Sequence, residues 1–132
     1  MILIDSNVLL DLYDENCEWH EWSVSALVSV ADNAEMVINP IIYAEASIRF
    51  QTPAQFDEAF PPEDYLRRNL PFAAAFLAGK AHMEYRRRGG LRTSTLPDFF
   101  IGAHAAVAGL RLLTRDARRY RTYFPSVELI AP

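Results

Sequence analysis

Met1-Ile2-Leu3-Ile4-Asp5 opens the chain, four apolar residues that end on an acid. Such a run suits a strand buried on both faces of a parallel sheet, with its carboxyl end opening on a site. Asp5 stands at that mouth. Outward from it, Met36-Val37-Ile38 reads as a second strand, Leu110 to Thr114 as a third and Val127 to Ile130 as a fourth. The segments between them carry helical spacing. Trp19, Trp22, Ala26, Leu27 and Val30 recur at three- and four-residue steps, so an amphipathic helix is expected from Glu18 to about Asp32, with His20 off its stripe and exposed. Asn39-Pro40 supplies an N-cap and a pre-set first helical position for a helix running to about Arg49. Thr52 to Asn69, broken by Pro53, Pro61 and Pro62, predicts short helical pieces. A longer helix from about Pro71 to Arg88 stops at Gly89-Gly90, where a glycine can take the left-handed cap conformation. Arg92 to Thr95 reads as loop, and Leu96 to Gly109 as a helix apolar on nearly every side. Strands alternating with helices predict an α/β fold, a three-layer α/β/α sandwich around a mostly parallel sheet. Residues 1–132 form one domain on this reading, since 132 residues with 51% hydrophobic content suffice for one core and not for two.

No apolar run approaches the ~18 residues of a membrane-spanning helix, and Met1 is not followed by a basic signal head, so a cytoplasmic protein is expected. Cys17 is the one cysteine, which excludes an internal disulfide and a cysteine zinc knuckle. The net charge of −4 argues against a nucleic-acid partner, but its distribution reverses that impression. Residues 1–85 carry four basic and fourteen acidic side chains, whereas residues 86–121 carry nine arginines against Asp98 and Asp116 alone. Arg86-Arg87-Arg88 is equally explained as a solvated helix end favoured by the macrodipole.

Four acids occupy unexpected places. Asp5 follows the first strand and Asp116 the third, where ligands collect in open parallel sheets. Taken alone, Asp5 could make an Asx-turn and Asp116 could cap a helix. Glu45 lies four residues after Ile41 and three before Ile48, inside the apolar arc of its helix, so a cation must compensate it. Either a metal or Arg49 would serve. Asp98 opens a helix in which His104 is the next strongly polar side chain, although Thr95-Leu96-Pro97-Asp98 also fits a capping box. His104, six residues further along the helix, is read as a core or interface histidine and left out of the site. Hard carboxylate oxygens without a Cys or His cluster select Mg²⁺ or Mn²⁺ over zinc. An acid cluster bordered by arginines suits phosphodiester hydrolysis assisted by metal.

Four stretches then carry a resemblance: Leu3-Ile4-Asp5-Ser6-Asn7-Val8, Asn39-Pro40-Ile41-Ile42-Tyr43-Ala44-Glu45, Leu96-Pro97-Asp98-Phe99-Phe100-Ile101-Gly102-Ala103-His104-Ala105, and Leu113-Thr114-Arg115-Asp116. In this order and spacing they resemble the VapC-type PIN-domain toxins, and the likeness covers nearly the whole chain. It implies a Mg²⁺- or Mn²⁺-dependent endoribonuclease, held inactive by a cognate antitoxin and commonly homodimeric, with Asp5, Glu45, Asp98 and Asp116 as its catalytic and metal-binding acids. Ser6, Asn7 and Thr114 match the small polar residues that flank the acids and would orient them or the waters of the metal. Arg92, Arg115 and Arg118 would contact RNA phosphates, because Arg92 leads to Asp98 and the other two flank Asp116. Thr52 to Asn69 aligns least.

Other readings compete. A haloacid-dehalogenase-type enzyme also places an Asp after its first strand, but its second Asp would fall at Asn7, and Lys80 is the only lysine. A non-catalytic PIN-like module tends to lose acids that are all present here. A housekeeping RNA-processing nuclease is not separated from a toxin by these residues.

Overall fold

The computed structural model describes residues 1–90 and 96–132. Among these residues five short strands, β1 (Ile2–Ile4), β2 (Met36–Ile38), β3 (Tyr65–Arg67), β4 (Arg111–Leu113) and β5 (Leu129–Ile130), form one sheet in the order β3-β2-β1-β4-β5. Every pairing is parallel, with Leu3 opposite Val37 on one side and Leu112 on the other. Among the described residues, seven helices connect and cover the strands: α1 (Ser6–Tyr13), α2 (His20–Ala31), α3 (Pro40–Ser47), α4 (Pro53–Ala59), α5 (Phe72–Arg87), α6 (Leu96–Ala108) and α7 (Arg118–Tyr123). The result is the expected three-layer α/β/α sandwich. Among the described residues, no helix is long and apolar enough to cross a membrane.

The central strands show why apolar runs make this sheet. Ile2, Leu3 and Ile4 are wholly buried, as are Val37, Ile38, Leu112 and Leu113, so no residue of β1 faces solvent. Asn39 caps α3 as expected, its Oδ1 accepting from the Ile42 N–H at 2.9 Å with Pro40 at the first helical position. Gly89 ends α5 at φ +92°, the left-handed conformation that glycine tolerates. Gly102 has a different task. A Cβ there would lie 2.4 Å from the Phe124 ring, so its bare backbone lets that ring close against α6.

Three elements depart from the sequence reading. β3 replaces part of the expected helical pieces, α1 fills residues 6–13 where no helix was placed, and α7 follows Asp116. His20, expected to be exposed, is half-buried with Nδ1 2.8 Å from the Asp11 carbonyl oxygen. The expected loop from Arg92 and the Thr95 cap lie outside the described residues.

Strand order locates the crevice. From β1 the chain moves to β2 and β3 on one side, then returns to β4 and β5 on the other. The direction of winding therefore reverses between β1 and β4, and ligands of open α/β sheets bind outside the strand ends at such a point.

Candidate active site

Asp5 and Thr114 are the first residues beyond β1 and β4, at the two lips of that crevice. Asp5 is 3% exposed and holds the N-cap position of α1, yet its side chain makes no capping hydrogen bond. Its Oδ2 instead accepts from the Thr114 hydroxyl at 2.9 Å and the Tyr120 hydroxyl at 2.9 Å. The Asx-turn alternative therefore fails, because the carboxylate turns across the sheet. Oδ1 accepts from the Ser6 hydroxyl at 3.3 Å, and that proton has a shorter path to Glu45 Oε1 at 2.9 Å.

The small polar residues tie the lips together. Asn7 Nδ2 donates to Thr114 Oγ1 at 3.2 Å, while Asn7 Oδ1 accepts from the Arg115 N–H at 3.3 Å. Thr114 Oγ1 also accepts from the Asp116 N–H at 3.1 Å, which fixes the backbone after β4. Asp116 is not a helix cap, since α7 begins with Ala117 as its N-cap. Its side chain is exposed at the rim.

Glu45 and Asp98 complete the acid mouth from α3 and α6. Neither the Glu45–Arg49 ion pair nor any other cation on Glu45 or Asp5 occurs among the described residues. α3 ends before Arg49, which lines a separate pocket with Tyr13 and Phe50. Asp98 does have a cation. Arg119 Nη1 donates to its Oδ2 at 2.6 Å.

The electrostatics record this crowding. Burial pushes the Asp5 carboxyl above the usual range against the pull of Thr114 and Tyr120, and the Glu45 charge pushes it further. Burial likewise raises Glu45, opposed by the Ser6 hydroxyl and assisted by the Asp98 charge. Asp98 is pushed up to about 6 by burial and by Asp5, with Arg119 resisting and Asp116 adding to the rise. Tyr120 is raised well above the ordinary phenol value by burial and by the charges of Asp5 and Asp98, so it stays protonated as a donor. Asp5, Glu45 and Asp98 thus each feel at least one other acid.

Hard oxygen donors that repel one another fit a divalent cation of the magnesium type. Among the described residues, however, no three acidic, histidine or cysteine side chains are gathered tightly enough to hold an ion as they stand. An ion would have to draw them together, and the Arg119 contact is what it would compete with at Asp98.

Of the arginines expected on an RNA path, Arg92 lies outside the described residues. Arg118 is exposed beside Asp116 in one pocket. Arg115 is drawn elsewhere, its Nε 2.7 Å from Asp11 Oδ2 and its guanidinium over the Trp19 ring. The Asp11 carboxylate, 4% exposed, would be left uncompensated without it. Tyr120 and Arg119 were missed in the sequence, because their contacts depend on α7, a six-residue helix with no apolar stripe to announce it. His104 is 2% exposed, and burial lowers its basicity. Its neutral Nδ1 faces Asn39 Nδ2 at 3.0 Å, so it supports the residue that caps the Glu45 helix.

A family model described as PIN domain matches residues 2–125. No curated protein matches the chain by sequence. Solved structures do match by fold: VapBC2 from Rickettsia felis bound to a DNA fragment from their promoter is 17% identical with TM-score 0.73, covering 99% of this chain and 98% of that one. FitAcB from Neisseria gonorrhoeae is 18% identical with TM-score 0.73, covering 98% and 96%. A toxin-antitoxin complex from Klebsiella pneumoniae is 22% identical with TM-score 0.67, covering 91% and 90%.

Proposed function

Because the chain belongs to the PIN-domain family, whose members are generally nucleases, we propose that it is a Mg²⁺- or Mn²⁺-dependent endoribonuclease, the toxin of a toxin–antitoxin pair. The observation that carries this is the acid mouth at the β1/β4 crevice, where buried Asp5 and half-buried Glu45 stand without a cation among the described residues. When bound there, a divalent ion supplies Lewis-acid activation of water and offsets phosphate charge. Asp5, Glu45, Asp98 and Asp116 would hold it. Thr114 and Tyr120 keep Asp5 Oδ2 occupied and so leave Oδ1 the freer oxygen with which Asp5 would hold the ion, while Ser6 steadies Glu45. Arg118, with Arg92, would hold the RNA phosphates, and RNA as substrate goes with a cytoplasmic place of action.

The toxin part of the reading leans on the likeness to toxin–antitoxin structures. Phe72 and Phe76 stand exposed on α5, apolar surface suited to a protein partner such as an antitoxin or a second copy. A housekeeping nuclease would keep the same acids but would not halt growth.

Calorimetric titration with Mn²⁺, together with cleavage of a single-stranded RNA, tests the proposal. Wild type should bind Mn²⁺ and cut only with metal present, and Asp5→Asn should lose both. Retention of Mn²⁺ binding by both Asp5→Asn and Asp98→Asn would place the ion elsewhere. Expression in a bacterial host should arrest growth through wild type and not through Asp5→Asn; growth unaffected by wild type counts against the toxin role.

A further inference from the structure

Beside the acid mouth lies a pocket of about 440 Å³ walled by Tyr85, Asp116, Arg118, Arg119, Thr122 and Tyr123. That volume falls among small-ligand sites, which run from roughly 300 to 1,000 Å³. Its two aromatic rings come from α5 and α7 and meet edge to face, with centroids 5.9 Å apart at 77°. Each also carries a guanidinium over its face, Arg119 at 5.3 Å from the Tyr85 centroid and Arg88 at 5.6 Å from that of Tyr123.

The pocket and the acids are physically continuous. Arg119 lies over Tyr85 and also bonds Asp98, and Asp116 belongs both to the pocket wall and to the charges acting on Asp98. A phosphate seated at the acids would place the next nucleotide of its strand within reach of these rings. Interleaved aromatic and cationic side chains are what single strands bind, since every base has a face to stack and every linkage a charge to neutralise. Thr122 donates its hydroxyl proton to the Arg118 carbonyl at 3.1 Å. It and Asp116 therefore offer acceptors toward the pocket, suited to the N–H groups of a base edge. Packing alone accounts for part of the cluster, as Tyr85 and Tyr123 also touch Phe99. It does not account for an open pocket edged by an exposed Arg118, which has no ion pair among the described residues.

We propose that this pocket is a nucleobase subsite. Resting on the ribonuclease reading above, it takes the base of the nucleotide adjoining the cleaved linkage of a single-stranded RNA, stacked on Tyr123 with the Tyr85 ring meeting it edge-on, and with Arg118 on the neighbouring phosphate.

The test uses the Asp5→Asn protein, which should bind without cutting, and a fluorescein-labelled RNA hexanucleotide together with versions that lack one base at each position in turn. Adding Tyr123→Leu should weaken binding of the intact hexanucleotide by roughly 5- to 140-fold, the range expected for one stacked base. One abasic position should weaken the Asp5→Asn parent and leave the Tyr123→Leu double variant almost unaffected, because the base and the ring then act as a pair. Arg118→Ala should lower affinity and shallow the salt dependence by about 0.7 for a single strand. Equal affinity with and without Tyr123 overturns the subsite, and so does the same loss at every abasic position. Should melting show that Tyr123→Leu does not fold, the abasic series on the parent and the exposed Arg118→Ala change decide, and a parent indifferent to abasic position is then the overturning result. A parent that binds no RNA sinks the ribonuclease reading itself. Binding by the parent without a favoured base position sinks the subsite alone.

Discussion

Two aspartates six residues apart on the same stretch of chain are buried to almost the same degree, Asp5 at 3% exposure and Asp11 at 4%. Their surroundings differ completely. Asp11 Oδ2 accepts from Arg115 Nε at 2.7 Å and the Ser23 hydroxyl at 2.9 Å, and Arg115 in turn stacks over Trp19. Asp5 has neutral hydroxyl donors, Thr114 and Tyr120, and faces other acids instead of a base. A buried carboxylate with its own guanidinium ties α1 to the chain after β4. One supplied only with neutral donors is held in position with no cation of its own among the described residues, which is what the proposed metal site requires.

Removing the cation from Asp11 should give the largest effect. Arg115→Ala strands the Asp11 carboxylate, and with Arg115 itself one-third exposed the expected loss is about 2–3 kcal/mol, below the full value for a deeply buried pair. Melting should fall by roughly 10 °C at this chain length. By contrast, Asp5→Asn removes a charge with no cation to lose, so the metal-free protein should melt at or above the wild-type temperature. A large drop for Asp5→Asn would show that the hydroxyl donors alone balance the charge, and the contrast between the two aspartates would be gone.

Metal should then act on one aspartate and not the other. At Mn²⁺ concentrations about 100-fold above its dissociation constant, wild type should gain about 2.7 kcal/mol of stability. Arg115→Ala should gain as much from its lower baseline, whereas Asp5→Asn should gain little. Equal gains in all three proteins, read from melts with and without chelator, would detach the ion from Asp5.

The same contrast explains what could be read in advance. Ile2-Leu3-Ile4, Met36-Val37-Ile38 and the Leu110 to Thr114 stretch announce central strands because a doubly covered strand is mostly apolar, and Arg111 at the edge of its run leaves Leu112-Leu113 visible. The α3 cap and the Gly89 stop were equally plain, since both use local chemistry. β3 was hidden because Tyr65-Leu66-Arg67 is an edge strand of three residues between Asp64 and Arg68, with no run to see. α1 was hidden by an apolar stretch interrupted by Asp11, whose partner lies 104 residues away. The four acids stand at strand ends and on apolar helix faces, positions visible in one dimension. Tyr120, Arg119 and the true partner of Arg115 depend on where α7 comes to rest, and that is set by Gly102 admitting Phe124 against α6.

A smaller effect concerns pH. Asp98 sits at about 6 in the folded protein against an ordinary 3.8, so between those values the folded state binds more protons than the unfolded one. Stability from this group is therefore greatest at low pH and is lost as pH rises through 6. His104, lowered by burial, acts in the opposite direction, and subtracting an Asp98→Asn variant cancels its contribution. In chelator, wild type should gain on Asp98→Asn as pH is brought from 7 to 5. A constant difference between the two melting curves would mean that Arg119 neutralises Asp98 fully and that the acids do not compete for charge.

Tyr120→Phe should give the smallest change and the most selective one. The phenol oxygen is removed from a buried site while Thr114 at 2.9 Å and Asn7 at 3.5 Å still donate to Asp5 Oδ2, so one of three donors is lost and the ring packing is kept. A hydrogen bond of this kind contributes about 1 kcal/mol net, and the loss in the metal-free protein should be no larger, because a less-solvated Asp5 can take up a proton instead. With Mn²⁺ the carboxylate must stay ionised and correctly turned, so the cost should appear there, as a several-fold weaker ion affinity. Ser23→Ala makes the matching change at Asp11, deleting one hydroxyl donor while Arg115 remains. It should cost about 1 kcal/mol of stability with or without metal and leave Mn²⁺ affinity unchanged. If both variants respond alike to the ion, the hydroxyl groups around Asp5 serve packing as those around Asp11 do. A Tyr120→Phe protein weakened only in its Mn²⁺ affinity would show that this tyrosine positions Asp5 for the cation.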